Sequence, residues 1–216
     1  MFVAARMTKH PVSVPSDATI QQADRLMKKH KFHRMIVVDD GKLVGYFSDR
    51  DIMRVAPSPA TTLSKFEIRS LLDKISVRDI MHEKVITVNE GATLEEAALI
   101  MYQNKVGGLP VVSDVGAVVG IITATDILKT FIEVMGLPGG GKTRLTLEVD
   151  NKVGVMADIT KIFADNGINI DSFITCRQNE SRYELVVRLD DHGALEDVKK
   201  LLSLRGYKIV HSVKIG

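Results

Sequence analysis

The chain has 216 residues, 45% of them hydrophobic and 26% charged, with a net charge of +2. That length and composition are those of a globular protein of one or two domains with a core to bury. The charge is spread evenly along the chain, so no basic arm or stripe argues for nucleic acid. No run approaches the ~18 apolar residues of a membrane span. The single cysteine, Cys176, excludes an internal disulfide framework and fits a reducing compartment. It lies in a run that reads as strand and is expected to be a small buried side chain. Met1 to Arg6 is too short and interrupted for a signal peptide, so the cytoplasm is the expected location.

An internal repeat organises the first two thirds. Met7 to Val14 aligns with Met81 to Val88 at an offset of 74, and Ala18-Thr19-Ile20 aligns with Ala92-Thr93-Leu94. Past a turn the offset becomes 75, matching Gly45 with Gly120 and Asp51 with Asp126. Each copy reads as a short strand (Val12–Val14; Val85–Val88) and then a helix (Thr19–His30; Thr93–Asn104). Two apolar strands follow, joined by a polar turn, and a closing helix ends the copy. In the second copy Leu94, Ala97, Ala98 and Met101 recur at i, i+3, i+4 and i+7, one buried helix face. The β-α-β-β-α unit occurs twice, which predicts a pseudo-two-fold pair. A connector separates the copies, with a turn at Pro57-Ser58-Pro59 and a helix over Lys65–Leu72.

Each closing helix opens on the same element. It is Gly45-Tyr46-Phe47-Ser48-Asp49-Arg50-Asp51 in one copy and Gly120-Ile121-Ile122-Thr123-Ala124-Thr125-Asp126 in the other. A hydroxyl residue with a carboxylate three positions on is a capping box, which satisfies free amides at a helix start. The same pair suits a nucleotide's phosphate and ribose. Three features favour the second reading without removing the first. A glycine precedes each element, where backbone can approach a ligand closely. The two elements are equivalent in the repeat and would converge on one cleft. His33-Arg34 also stands beside the first copy, where anions are favoured.

After the breaker cluster Gly136 to Gly141 the pattern changes. Arg144–Val149 alternates as a strand, Val153–Asp165 is helical, and Ile168–Arg177 and Arg182–Leu189 are strands. Ala194–Leu204 is a helix and Tyr207–Val213 a final strand. The order β-α-β-β-α-β is the ferredoxin-like arrangement. The run Gly136 to Thr143 also satisfies the phosphate-loop pattern G-x-x-x-x-G-K-[ST], and Met35 to Asp39 resembles its usual companion strand. The context is reversed: helix precedes the loop and strand follows it, so no helix N-terminus faces the phosphates. A glycine-rich linker explains these residues better.

Residues 1–135 resemble a tandem pair of CBS domains, a Bateman module. The resemblance rests on His33-Arg34-Met35-Ile36-Val37-Val38-Asp39, on Gly107-Gly108-Leu109-Pro110-Val111-Val112 and on the two hydroxyl–carboxylate elements. It implies adenosyl ligands (AMP, ADP, ATP or S-adenosylmethionine) in clefts between the repeats. By position Asp51 would hold the ribose, Ser48 a phosphate, and His33 and Arg34 the phosphate chain, with Ile86 and Gly107 enclosing the adenine. The second cleft would use Thr123 and Asp126, with Val12 opposite. That cleft has Gly107-Gly108 where the first has His33-Arg34, and Arg50 and Arg54 have no arginine counterparts, so the Asp51 cleft is expected to take the phosphorylated ligand.

Residues 142–216 resemble an ACT domain, on the stretch Leu147 to Ile159 followed by Asn166-Gly167-Ile168-Asn169-Ile170. The resemblance implies side-by-side dimerisation and, as an open alternative to dimerisation alone, a small amino acid bound at Asn151, Val153, Gly154 and Asn169. Taken together the fold class is α+β: CBS repeats over 1–56 and 76–135, a connector over 57–75, a linker over 136–141 and an ACT domain over 142–216. The domain order, with Ser48-Asp49-Arg50-Asp51 and the following Ala56-Pro57-Ser58-Pro59, is similar to the acetoin-utilisation AcuB type.

The catalytic inventory is thin. The six histidines (His10, His30, His33, His82, His192 and His211) show no metal-ligand spacing, and no nucleophile elbow or Cys/His pair stands out. The expected function is that of a non-catalytic regulatory protein, with no metal or resident cofactor called for. Homodimerisation is expected, and neither nucleic acid nor membrane is an expected partner. The alternative is an accessory subunit serving assembly.

Overall fold

The computed structural model describes residues 1–57, 62, 64–137, 142–190 and 193–215. The chain divides into two compact units, Met1–Ile127 and Leu128–Gly216.

In the first unit the repeat is visible element by element. The first copy runs β1 (Thr8–Lys9), β2 (Ser13–Val14), α1 (Ile20–His30), β3 (Arg34–Asp39), β4 (Lys42–Ser48) and α2 (Asp49–Val55). After α3 (Lys65–Leu72) the second runs β5 (Val88–Asn89), α4 (Leu94–Asn104), β6 (Gly108–Val112), β7 (Val118–Thr123) and α5 (Ala124–Val134). The short strands are shorter than their apolar runs predict, and of Val85–Val88 only Val88 pairs. Thr19 and Thr93 cap α1 and α4 with full capping boxes to Gln22 and Glu96. The β3–β4 turn is the two-residue loop Asp40-Gly41, both at positive φ (50° and 77°), the conformation that matches strand twist.

The sheets do not follow the repeat boundaries. β2, β3 and β4 form a three-stranded sheet, whereas β1 leaves its own copy to join the order β1-β7-β6-β5. Thr8 and Lys9 pair with Ile121 and Gly120. The exchange is reciprocal, because His82 of the second copy forms an antiparallel bridge with Tyr46 of the first. The cores follow suit. Val3 is buried with Val88, Leu94, Leu109 and Ile122, while Val77 is buried with Ile20, Met35, Val37 and Phe47. Further bridges obey the same symmetry: Phe2 with Thr93, and Thr19 with Ser76. Lys42 bridges Ala117, its own repeat equivalent, so the two hairpins meet on the pseudo-two-fold axis.

The second unit is β8 (Lys142–Asp150), α6 (Val155–Asp165), β9 (Asn169–Arg177), β10 (Arg182–Asp190), α7 (Leu195–Leu204) and β11 (Lys208–Ile215). Its antiparallel sheet has the order β11-β8-β10-β9, the ferredoxin-like order. Leu145, Leu147, Val149, Leu185, Val187 and Leu189 pack from the sheet against Ile159, Ile162 and Phe163 of α6 and Val198 and Leu202 of α7. Leu201, next to buried Leu202 in α7, is 40% exposed. Cys176 is also exposed, contrary to expectation. It lies near the end of β9, an edge strand, where pairing on one side alone leaves residues 175–177 open.

The units part within α5, ahead of the glycine cluster. The end of that helix belongs to the second unit: the Met135 carbonyl accepts a hydrogen bond from Ser172 Oγ at 3.3 Å.

Candidate functional site

Six hydroxyl–carboxylate or hydroxyl–amide boxes occur among the described residues: Thr19/Gln22, Ser48/Asp51, Ser64/Glu67, Ser76/Asp79, Thr93/Glu96 and Thr123/Asp126. Capping is therefore the common use of the pattern in this chain. Asp51 differs from the other five acceptor residues in being buried, at 8% exposure. Its Oδ2 accepts from the Ser48 amide at 2.9 Å and the Ser48 hydroxyl at 2.6 Å. Its Oδ1 meets only longer contacts, Arg54 Nη1 at 3.4 Å and His82 Nε2 at 3.3 Å. Burial pushes the carboxyl pKa up, but the Ser48 hydrogen bonds and His82 together outweigh it and leave Asp51 below the ordinary carboxylate range. The result is a buried, ionised carboxylate with one oxygen open to a further donor.

β-pairing assembles the surroundings. Arg34 opens β3 directly across from Ser48, and the His33 carbonyl accepts from the Asp49 amide at 3.1 Å. The His33 ring meets Asp49 Oδ2 at 2.9 Å and holds that carboxyl below its usual range. His33 and Arg34 are both exposed. Sequence spacing thus brings His33, Arg34, Ser48 and Asp51 to one end of one hairpin.

The second copy repeats the frame, with Gly107-Gly108 in place of His33-Arg34. Gly108 lies across from Thr123, and the Gly107 carbonyl accepts from the Ala124 amide at 3.0 Å. Asp126 Oδ2 accepts from the Thr123 amide at 2.8 Å and hydroxyl at 2.7 Å. Ala124 stands where Asp49 stands, and a Cβ added at Gly107 would meet open space.

Val12 and Ile86 lie on the crossing segments. Val12 follows β1 in one sheet and precedes β2 in the other, and Ile86 lies between His82, bridged to Tyr46, and Val88 in β5. Ile86 is 38% exposed. An open groove of about 680 Å³ lined by Ser13, Asp17, Gln22 and Arg25 includes none of these residues.

Gly45 and Gly120 were expected to admit a ligand, but the chain itself occupies that space. A Cβ at Gly45 would lie 2.8 Å from Met81 Sδ and 3.1 Å from the His82 carbonyl, and one at Gly120 would lie 2.5 Å from Met7 Sδ and 3.0 Å from the Thr8 carbonyl. The glycines seat the crossing segments. That seating also delivers a residue the sequence reading passed over: His82 touches Asp51 and tilts against Tyr46, with ring centroids 5.2 Å apart. The signal was present in the repeat alignment, which sets His82 opposite Thr8.

The C-terminal candidates do not come together in one copy. Gly154, at φ +92°, begins α6, and Asn151 is tied to the next hairpin through Glu180 and Ser181. Val153 is fully exposed. Asn169 is at the other end of the sheet: Asp150 pairs with Arg182, whereas Asn169 pairs with Asp190. Eight residues of β10 separate the two pairings, roughly 27 Å at strand rise. The cause is topological, since β8 and β9 run parallel to each other and the crossover helix returns the chain to the end where β8 began.

The phosphate-loop match falls partly on residues 138–141, outside the described residues, as do Ser58 and Pro59 of the connector turn and His192. Its flanks are helix α5 and strand β8, and Lys142 is paired with Asp171 at 2.5 Å. Asp39 accepts the Ser16 amide at 2.8 Å. Among the described residues no group of three or more His, Cys, Asp or Glu side chains could hold a metal ion, and no helix is long and apolar enough to cross a membrane.

Comparison with known proteins matches the two units separately. The CBS domain matches residues 3–58 and 77–133, and the ACT domain matches residues 143–206. A CBS domain-containing protein of Dictyostelium discoideum is 31% identical over 136 residues, covering 62% of this chain and 94% of its own. Among solved structures, a candidate acetoin utilization protein (AcuB) of Vibrio cholerae is 31% identical with a TM-score of 0.53, covering 63% of this chain and 94% of that one. A structure of CBSX2 in complex with AMP is 26% identical with a TM-score of 0.51, over 62% and 97%.

Proposed function

This chain belongs to the CBS-domain family and carries a C-terminal ACT domain, and from that we propose that it is a non-catalytic regulatory protein sensing an adenine nucleotide. The observation that carries the reading is the buried Asp51 carboxylate, ionised, with Oδ1 open and His33, Arg34 and Arg54 nearby. A ribose diol donates hydrogen bonds and needs an ionised acceptor, whereas a phosphate chain needs cationic donors. The first copy offers both. In CBSX2, which shares this fold at 26% identity, AMP is the bound ligand.

In this reading AMP, ADP or ATP binds the Asp51 cleft, Ser48 and His33-Arg34 take the phosphates, and Ile86 and Gly107 enclose the base. The Thr123/Asp126 cleft, with Val12 opposite, has Gly107-Gly108 where the first has His33-Arg34, and takes a less charged adenosyl group or binds more weakly. The ACT domain serves dimerisation in the cytoplasm. Any amino acid held by Asn151, Val153 and Gly154 together with Asn169 requires two copies, because one copy keeps them roughly 27 Å apart. Regulation follows if the nucleotide prefers one of two arrangements of the repeats.

Calorimetric titration with AMP, ADP and ATP tests this. One strong site is expected, with affinity lowered at least about tenfold in Asp51→Ala, since a charge-assisted hydrogen bond is lost. Two equal sites would remove the asymmetry. Undiminished binding by the variant would remove the site, and no binding by the wild type would leave assembly as the role.

A further inference from the structure

The four-stranded sheet of the second unit has a second face, and it carries a guanidinium that no carboxylate pairs with among the described residues. Strand alternation turns Leu145, Leu185, Val187 and Leu189 toward α6 and α7, and turns Arg144, Thr146, Arg188 and Ser172 the other way. Arg188 is only 7% exposed. Its Nη1 reaches Ser172 Oγ at 3.3 Å and Met135 Sδ at 3.3 Å, both neutral acceptors, and its Nε has no partner. Directly across in register stands a second guanidinium, Arg144, whose Nη1 bonds Thr146 Oγ1 at 2.7 Å. Among the described residues no carboxylate forms an ion pair with either arginine.

This is an unfavourable arrangement taken alone. Like charges directly opposite on adjacent strands repel, and a buried charge needs a partner. A guanidinium does not discharge itself by losing its proton. Burial, and then the Arg144 charge, do lower the Arg188 pKa, but from the high ordinary value of a guanidinium. Asp171, at this end of the sheet, is engaged by Lys142.

We propose that Arg188 and Arg144, with Ser172, form a binding site for a small dianionic oxyanion, a dicarboxylate or a phosphate monoester. The planar donor fork of arginine matches carboxylate and phosphate oxygens two at a time. Two forks side by side select a doubly charged group, and the free Nε supplies a donor that Ser172 and Met135 leave unused. The site is separate from the Asn151–Gly154 turn, which lies seven residues further along β8, roughly 23 Å at strand rise. It is independent of the nucleotide reading, which concerns the first unit.

The test is calorimetric melting of the full chain in inorganic phosphate or succinate, against sodium chloride at matched ionic strength. The transition of the second unit is expected to rise with either oxyanion beyond the chloride effect. Arg188→Met, which fills the space without charge, is expected to lose that response and to melt higher than wild type in anion-poor buffer. Arg144→Gln is expected to weaken the response about tenfold or more in concentration. If Arg188→Met fails to fold, Arg188→Lys decides: the charge remains but the fork is gone, so an undiminished response overturns the site. So does an equal response in wild type and Arg188→Met, or no wild-type response to either oxyanion. A change of sedimentation mass in Arg188→Met without any oxyanion response also overturns it, and assigns the guanidinium to a carboxylate of a second copy.

Discussion

Replacing Gly45 by alanine separates two accounts of that glycine. If it exists to admit a ligand, Gly45→Ala leaves the ligand-free protein intact and weakens binding alone. If it seats the crossing segment, the ligand-free protein itself suffers. The added Cβ would lie 2.8 Å from Met81 Sδ and 3.1 Å from the His82 carbonyl. The sulfur ends a flexible side chain and can turn aside, whereas the carbonyl belongs to the Tyr46–His82 bridge and cannot move without breaking it. Overpacking of this kind costs about 1–3 kcal/mol, offset by about 0.4–1 kcal/mol from the stiffer unfolded chain. A net loss of about 1–2 kcal/mol lowers the melting point of the first unit by roughly 3–8 °C on the usual size scaling. Calorimetry of the ligand-free chain reads this, with the second unit's transition as an internal control. Adding Met81→Ala to Gly45→Ala should recover part of the loss relative to Met81→Ala alone, because one of the two close contacts is gone. An unchanged first-unit transition in Gly45→Ala would refute the seating argument.

Two further predictions concern protons. Asp51 has a folded pKa below its unfolded value, so its contribution to stability is complete above the unfolded pKa and is lost as pH falls through the folded one; Asp51→Asn should flatten the acid limb of a stability–pH profile for the first unit, and an unchanged limb would count against an ionised, hydrogen-bonded Asp51. Tyr207 donates to Asp158 Oδ2 at 2.7 Å, and burial followed by that carboxylate pushes its pKa up to about 12, so its contribution is present below the unfolded pKa and lost as pH rises through about 12. Ultraviolet titration of Tyr207→Phe should lack an ionisation step near that pH, and a step that persists would assign it to another tyrosine.

Local chemistry was the legible part. Capping boxes, the 3.6-residue period of α4 and the alternation of β8 each depend on residues a few positions apart, so the elements and the His33, Arg34, Ser48 and Asp51 grouping could be read from spacing. Partnership between distant segments was not. Nothing within Thr8–Lys9 or around His82 says that each pairs with the other copy's strand, so the purpose of Gly45 and Gly120 was misassigned and His82 was overlooked. That Asn169 and Asn151 lie at opposite ends of the sheet in one copy was not legible for a related reason, since only the strand register shows which end of a sheet a residue occupies. Cys176 was expected inside because a strand is usually half-buried, and edge position cannot be seen in a single strand.

The reciprocal crossing of lead-in segments makes the two repeats inseparable. A chain severed in the connector would strand Val3 on a fragment that lacks Val88, Leu94 and Leu109, and Val77 on one that lacks Ile20 and Phe47. Neither half owns its complete interior, so the repeat forms a clasp rather than two beads on a string. A disturbance at Asp51 is one side chain away from His82, and His82 is continuous with the strand that feeds the opposite sheet. The covalent backbone itself links the two halves.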